Sequence, residues 1–218
     1  MHHDGLVFEL RPTPAGQVGF FAEQIEPWRQ LRAAVEGSVR PVQLLNLFAY
    51  TGGATLVAAA AGAGVTHVDA ARSPVAWARR NAELSDLTTA PIRWIVDDAE
   101  AFVARELRRG RRYDAIVLDP PSYGHGPRGE RWTLADQLPG LLDGCLALAD
   151  GRPDLALLTA HTEGLAPEVL AELLRAALVR AGAPPSSAGS SRLRAEPLLL
   201  RAESGASAPA GVLVRWGA

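Results

Sequence analysis

Short β-branched apolar runs alternate along this chain with longer segments of helical period, and this restricts the fold more than any other feature. Such alternation marks an α/β fold with a mostly parallel sheet. Strands are expected at Val42–Leu47, Val65–Asp69, Ile92–Val96, Ala115–Leu118 and Leu155–Thr159. Helices are expected near Ala54–Ala61, Pro74–Leu84, Ala99–Arg108, Asp136–Ala149 and Pro167–Arg180. Ser73-Pro74 is a good helix start, a capping residue followed by proline at the first helical position. After a Gly/Ala/Pro/Ser loop at Gly182–Ser191, two more strands, Leu193–Arg201 and Gly211–Trp216, flank the turn-rich Glu203–Ala210 and should pair antiparallel. The expected class is α/β: a doubly wound, mostly parallel, seven-stranded Rossmann-like sheet with an antiparallel C-terminal hairpin. Residues 1–40 read as an extension packed on the core, with a hairpin of Leu6–Leu10 and Val18–Phe21 and a helix from near Pro27.

Composition narrows the function classes. With 218 residues, 48% of them hydrophobic, the chain buries a full core as one soluble domain. The longest apolar stretch, around Thr55 to Val65, falls short of the ~20 residues that cross a bilayer. The opening Met-His-His-Asp-Gly has no basic and apolar leader pattern, so the expected compartment is the cytoplasm. A single cysteine, Cys145, excludes an intramolecular disulfide and a Cys-rich metal site, and no metal is expected. It lies at three-and-four spacing with Leu138, Leu141, Leu142 and Ala149, which reads as core. A net charge of −2 argues against a globally basic nucleic-acid clamp and leaves room for a local patch.

In a doubly wound sheet, ligands bind outside the carboxyl ends of the strands. After the first of the five parallel strands comes a tight glycine turn, Asn46-Leu47-Phe48-Ala49-Tyr50-Thr51-Gly52-Gly53, feeding a helix of small residues. Glycine there admits close backbone approach, and the helix amino end offers free N–H groups; close strand–helix packing explains the same glycines. The second strand ends in Asp69-Ala70, about 17 residues beyond Gly52, where an acid accepts both hydroxyls of a ribose. The third ends in Asp97-Asp98-Ala99. Asp98 either accepts from an adenine amine or caps the next helix, and Asp97 beside it reads as a capping or solvent-facing member of that cofactor turn. The Gly-x-Gly-x-x-Gly that seats a pyrophosphate is missing, so NAD does not fit. Glycine backbone plus one carboxylate for ribose and one for adenine points to S-adenosylmethionine.

The fourth strand ends in Leu118-Asp119-Pro120-Pro121-Ser122-Tyr123-Gly124. Two prolines make a stiff, extended loop that holds the Asp119 carboxylate and the Pro120 carbonyl in place. These accept hydrogen bonds from an amine or base beside a methyl donor, and rigid positioning is most of what methyl transfer needs.

Leu45–Thr55, Val68–Asp69, Asp97–Asp98 and Asp114–Gly124 together resemble the class I S-adenosylmethionine-dependent methyltransferases of the large-subunit (23S) ribosomal RNA group, which includes cytosine-C5 and guanine-N7 enzymes. Gly16–Gln24 resembles that group's Gly-x-Phe-x-x-Gln approach to the cofactor pocket. Five parallel strands finished by an antiparallel pair are also the class I layout. The resemblance spans roughly residues 16 to 165 and makes 41–218 the methyltransferase domain. It implies a cofactor held by Phe21, Gln24, Asn46, Phe48, Tyr50, Thr51, Gly52, Gly53, Asp69, Ala70, Asp97, Asp98, Ala99 and Asp119, with S-adenosylhomocysteine as product. It implies a catalytic loop of Asp119, Pro120, Pro121 and Tyr123, with Asp119 facing the transferred methyl. The chain departs from the group in three places. No N-terminal RNA-binding domain is expected, Glu23-Gln24-Ile25 stands where Asp-Gln-Arg is usual, and Leu158-Thr159-Ala160-His161 lacks the cysteine of the C5 branch. Ring attack at C5 needs a thiolate-like nucleophile, so cytosine C5 methylation is not expected.

His161 lies at a strand's carboxyl end, where a neutral imidazole positions substrate or takes up a proton; a hydrogen-bonded structural histidine is the other reading. The arginine run Arg105–Arg112 precedes the fourth strand and faces away from the cofactor end, so it reads as a solvated face. The Tyr123–Trp132 loop is better placed: His125, Arg128, Arg131 and Trp132 are candidate substrate contacts, Trp132 stacking on a base or packing in the core. Trp28, Trp77 and Trp94 read as core. The sequence points to methyl transfer to nitrogen or oxygen of an RNA, with neither a membrane nor a metal as partner and no oligomeric state implied. Two alternatives remain: a small-molecule methyltransferase, which the slightly acidic charge favours, and a cofactor-binding but catalytically idle RNA or ribosome-assembly protein.

Overall fold

The computed structural model describes residues 1–13, 16–125, 131–183, 192–202 and 204–217. In chain order its elements are β1 (His2–His3), β2 (Leu6–Val7), a 3-10 turn at Ala22–Gln24, α1 (Ile25–Glu36), β3 (Gln43–Leu47), α2 (Gly53–Ala60), β4 (Gly64–Asp69), α3 (Arg72–Leu84), β5 (Ile92–Val96) and α4 (Ala99–Arg108). There follow β6 (Ala115–Leu118), β7 (Tyr123–His125), β8 (Arg131–Thr133), α5 (Leu134–Leu148), β9 (Leu155–Ala160), α6 (Pro167–Arg180), β10 (Leu193–Arg201) and β11 (Ser207–Gly217).

The seven-stranded sheet has the order β10-β11-β9-β6-β3-β4-β5. β3, β4, β5, β6 and β9 pair in parallel, and β11 and β10 close one side antiparallel, as the sequence led us to expect. The interior strands are apolar on both faces because helices cover both. In β6, Ile116 and Leu118 pack under α4, α5 and α6, while Ala115 and Val117 pack on the side of α1 and α2. From β3 the chain first winds outward through β4 and β5 and then returns to β6 on the other side, so the switch point lies between β3 and β6.

Three local expectations change. The expected hairpin of Leu6–Leu10 with Val18–Phe21 does not form. Leu6–Val7 pairs instead with His2–His3 around Asp4-Gly5, both left-handed at φ 47° and 82°, the conformation of a tight two-residue hairpin turn. Arg11 N–H still meets the Val18 carbonyl at 3.1 Å. The helices expected from Pro27, Pro74 and Asp136 each begin two residues earlier. Pro27 and Pro74 sit in the first helical turn, where the missing N–H has no intrahelical partner to lose. Finally, part of the Tyr123–Trp132 segment read as loop is a hairpin, β7 pairing with β8.

Residues 1–13 and 16–24 form a strap across α3 and α2. Val7 N–H donates to Ser85 Oγ at 2.9 Å, Glu9 N–H donates to Asn81 Oδ1 at 2.9 Å, and Trp77 Nε1–H donates to the Glu9 carbonyl at 3.1 Å. Leu6 and Phe8 bury against Trp28, Leu56 and Val57 in a small apolar cluster. Trp28 lies over Gly53 so closely that a Cβ there would overlap its indole. Gly53→Ala is expected to destabilise the protein by about 1–3 kcal/mol through overpacking, read as a lower urea midpoint; an unchanged midpoint would contradict this packing.

Candidate active site

The turn from β3 to α2 is built from left-handed residues. Phe48, Tyr50 and Gly52 have φ of 56°, 46° and 88°. For Phe48 and Tyr50 this is costly, and the surrounding bonds hold it. Ala49 N–H donates to the Val68 carbonyl at 3.1 Å, and Tyr50 N–H donates to Asp69 Oδ2 at 2.9 Å. The other Asp69 oxygen accepts from Ala71 N–H at 2.9 Å, so one carboxylate ties the first and second turns together. Burial pushes the Asp69 carboxyl above its usual range, and the two backbone donors partly offset this. Gly52 caps α2 without any side-chain bond, leaving the first N–H groups of the helix unspent. Gly53 and Ala54 line a cleft that also reaches Phe21, Gln24, Tyr50 and Asp119.

Two residues expected to touch a cofactor are already engaged. The Thr51 hydroxyl donates to the Gly19 carbonyl at 2.7 Å, anchoring the strap to the glycine turn. Gly19 itself, at φ 89°, lies against the Trp77 ring with no room for a side chain. Asn46 donates to Thr55 Oγ1 at 2.9 Å, which in turn meets His67 Nδ1 at 2.9 Å. His67 is fully buried, and its pKa is pushed down to about 3, chiefly by burial. Phe21 approaches Tyr50 with ring centroids 5.5 Å apart.

After β5, the capping alternative for Asp98 is the one seen. Its side chain accepts from Ala101 N–H at 2.9 Å at the start of α4. Asp97 accepts from Asp98 N–H at 3.0 Å and pairs with Arg105. Ala99 is buried in the main core, and Ala70 is partly exposed at the end of β4.

Asp119 occupies the centre of a polar knot at the carboxyl ends of β6 and β9. Its Oδ1 accepts from the Thr159 hydroxyl at 2.5 Å and lies 3.2 Å from His161 Nε2. Its Oδ2 accepts from Gln24 Nε2 at 3.1 Å, and the same amide donates to Thr159 Oγ1 at 3.1 Å. His161 Nδ1 meets the Ala210 carbonyl at 2.7 Å. Hydrogen bonding to Asp119 raises the His161 pKa to about 9 against the opposing effect of burial. His161 is thus held between Asp119 and the Ala210 carbonyl, the hydrogen-bonded arrangement that was its other reading. Thr159 was absent from the sequence-derived site; its only advance signal is a hydroxyl at the carboxyl end of an otherwise apolar strand.

The Asp-Pro-Pro loop is braced from β8. Trp132 is buried, packs on Phe48 with ring centroids 4.9 Å apart, and donates from Nε1 to the Pro121 carbonyl at 2.7 Å. Packing, not base stacking, is the role the structure gives this tryptophan. Ser122 Oγ lies 2.7 Å from Thr162 Oγ1. Pro120 is buried, whereas Pro121, Tyr123 and Arg131 are exposed. His125 ends β7, and Arg128 lies outside the described residues. Among the described residues no group of His, Cys, Asp or Glu could hold a metal ion, and no helix is long and apolar enough to cross a membrane.

A family model for S-adenosylmethionine-dependent methyltransferases matches residues 2–143. The chain belongs to this family. Ribosomal RNA large subunit methyltransferase K of Neisseria meningitidis serogroup B is 35% identical over 101 residues, 46% of this chain and 28% of that protein. Ribosomal RNA large subunit methyltransferase I of Aeromonas salmonicida is 34% identical over 108 residues, 49% of this chain and 26% of that protein. The solved S-adenosylmethionine-dependent methyltransferase from Agrobacterium tumefaciens matches with a TM-score of 0.89 and 38% identity, covering 100% of this chain and 69% of that one. The chain thus spans about a quarter of the length of these curated relatives and most of the A. tumefaciens structure. Its sheet is the class I methyltransferase sheet, and the cleft at the switch point is the candidate active site. Removing the Asp69 acceptor tests how the cleft is built. Asp69→Ala strands two backbone N–H groups and should lower unfolding free energy by about 1–3 kcal/mol; an unchanged urea midpoint would show that the two turns hold together without it.

Proposed function

We propose that this chain moves a methyl group from S-adenosylmethionine to a nitrogen or oxygen acceptor in RNA, specifically ribosomal RNA, in the cytoplasm. The observation that carries the reading is that Asp119 and the uncapped amino end of α2 line one cleft on either side of the switch point. The residues fit the cofactor. The free N–H groups at Gly53 and Ala54 suit its carboxylate. Each Asp69 oxygen keeps a second lone pair for a ribose hydroxyl, and the Asp98 cap fixes the turn on the adenine side. When bound, the cofactor supplies an electrophilic methyl on a sulfonium, so the chain's own task is to place the acceptor.

Asp119 and the Pro120 carbonyl do this placing. The Pro121 carbonyl is taken by Trp132, while among the described residues the Pro120 carbonyl accepts no hydrogen bond. Both groups can accept from the N–H or O–H of the acceptor and hold its lone pair toward the methyl. A covalent route through cytosine C5 lacks a nucleophile: the single cysteine, Cys145, is buried in the core, and burial pushes its thiol far up. RNA is favoured because both curated relatives described above are named as ribosomal RNA methyltransferases, and Tyr123 and Arg131 stand exposed beside the loop.

The test uses cofactor labelled in its methyl group, offered large-subunit ribosomal RNA and, separately, a metabolite pool. Label is expected in RNA, and Asp119→Ala should reduce its incorporation about a hundredfold or more while cofactor affinity stays within about twofold, well under the tenfold that 1.4 kcal/mol represents. Label only in small molecules would replace RNA by the small-molecule alternative. Cofactor binding with no transfer to either pool would favour the idle, assembly-type protein.

A further inference from the structure

We infer that Gln24, Thr159 and His161 are positioning residues that hold the Asp119 carboxylate in one orientation, leaving one of its acceptor positions for substrate. What Asp119 does rests on the methyl-transfer reading above; how it is held rests on geometry alone. A carboxylate offers about four lone-pair positions. Thr159 takes one on Oδ1, with His161 Nε2 3.2 Å from the same oxygen, and Gln24 takes one on Oδ2. The remaining Oδ2 position is the one free to meet an incoming N–H or O–H.

The contacts of His161 favour the protonated ring. Nδ1 faces the Ala210 carbonyl and Nε2 lies 3.2 Å from the Asp119 carboxylate, both of which can only accept, while the Gln24 amide also lies 3.2 Å from Nε2. With hydrogen on both ring nitrogens the ring is an imidazolium. Gly211, at φ 147°, packs on the Ala160 carbonyl, where a Cβ would come within 2.4 Å of the oxygen and 3.1 Å of His161 Nδ1. The charged and titratable neighbours are Asp119 on the β6 loop and Glu23 on the 3-10 turn, and both favour the cation. Thr159, Gln24 and the Ala210 carbonyl complete its polar surroundings.

Losing one proton leaves either Nδ1 bare against the Ala210 carbonyl or Nε2 bare against the carboxylate, a repulsive contact in both tautomers. In the second tautomer Nε2 also offers Gln24, whose amide lies 3.2 Å away, an alternative partner to Asp119, and Asp119 loses a donor on each oxygen. Because the folded-state pKa lies above the ordinary 6.5, the pair contributes fully below about pH 6.5 and its contribution is lost as pH rises through about 9.

Imidazole resonances of the full chain, titrated by NMR and assigned with His161→Gln, test the pairing without substrate. We expect His161 to titrate near 9 and to fall toward 6.5 in Asp119→Asn. A wild-type midpoint near 6.5, or one unmoved by Asp119→Asn, overturns the inference. The second measurement is the pH profile of labelled methyl transfer. Turnover should fall through about pH 9 and lose that limb in His161→Gln. Thr159→Val should lower kcat about tenfold or more with cofactor KM little changed, and Thr159→Ser should restore it. A wild-type midpoint near 9 without methyl transfer removes the methyl-transfer reading and keeps the pairing; methyl transfer with an unshifted midpoint does the reverse.

Discussion

Parallel pairing of β3 with β4 on one side and with β6 on the other makes the chain leave the sheet at the same edge each time it completes one of these strands. Because the winding reverses between β3 and β6, the turns that follow them cannot pack over each other, and a cleft opens between. The glycine turn and Asp119 share the cleft, and Asp69 and Asp98 follow the neighbouring strands at the same edge, because of this constraint rather than any attraction among them. What local bonding then adds is precision. Asp69 locks the left-handed Tyr50 by its N–H, Asp98 caps α4, and Trp132 pins the Asp-Pro-Pro loop through the Pro121 carbonyl.

The strap is part of this arrangement and not an appendage to it. Its polar anchors run along α3 and into the glycine turn through Ser85, Asn81, Trp77 and Thr51, and its apolar residues bury with Trp28. Those anchors deliver Gln24 to Asp119, a contact spanning 95 residues of sequence. One residue near the cofactor cleft therefore also orients the group expected to meet the acceptor. A buried polar network of this kind is stable only when its members are satisfied, and in the knot around Asp119 each named donor has an acceptor.

The sheet was legible because β-branched runs such as Ala115-Ile116-Val117-Leu118 have no competing helical reading at that length. Asp69 and Asp119 were legible from their position immediately after strands. The β1–β2 hairpin was missed although Asp4-Gly5 is a strong tight-turn signal, because the flanking strands are only two residues each. Asp98 and Trp132 each carried two readings, and what the structure shows is the capping bond of Asp98 to Ala101 and the bond of Trp132 to the Pro121 carbonyl. Thr159 was illegible for a different reason. Its partner Asp119 lies 40 residues away, and nothing local to an apolar strand marks a threonine as facing a carboxylate.

A crystal structure of the chain with S-adenosylhomocysteine bound would show where the cofactor sits. We expect the ligand's carboxylate at the amino end of α2, its ribose hydroxyls on Asp69 and its sulfur directed toward Asp119. A ligand seated elsewhere, or one whose ribose leaves Asp69 bonded only to Tyr50 and Ala71, would contradict this placement.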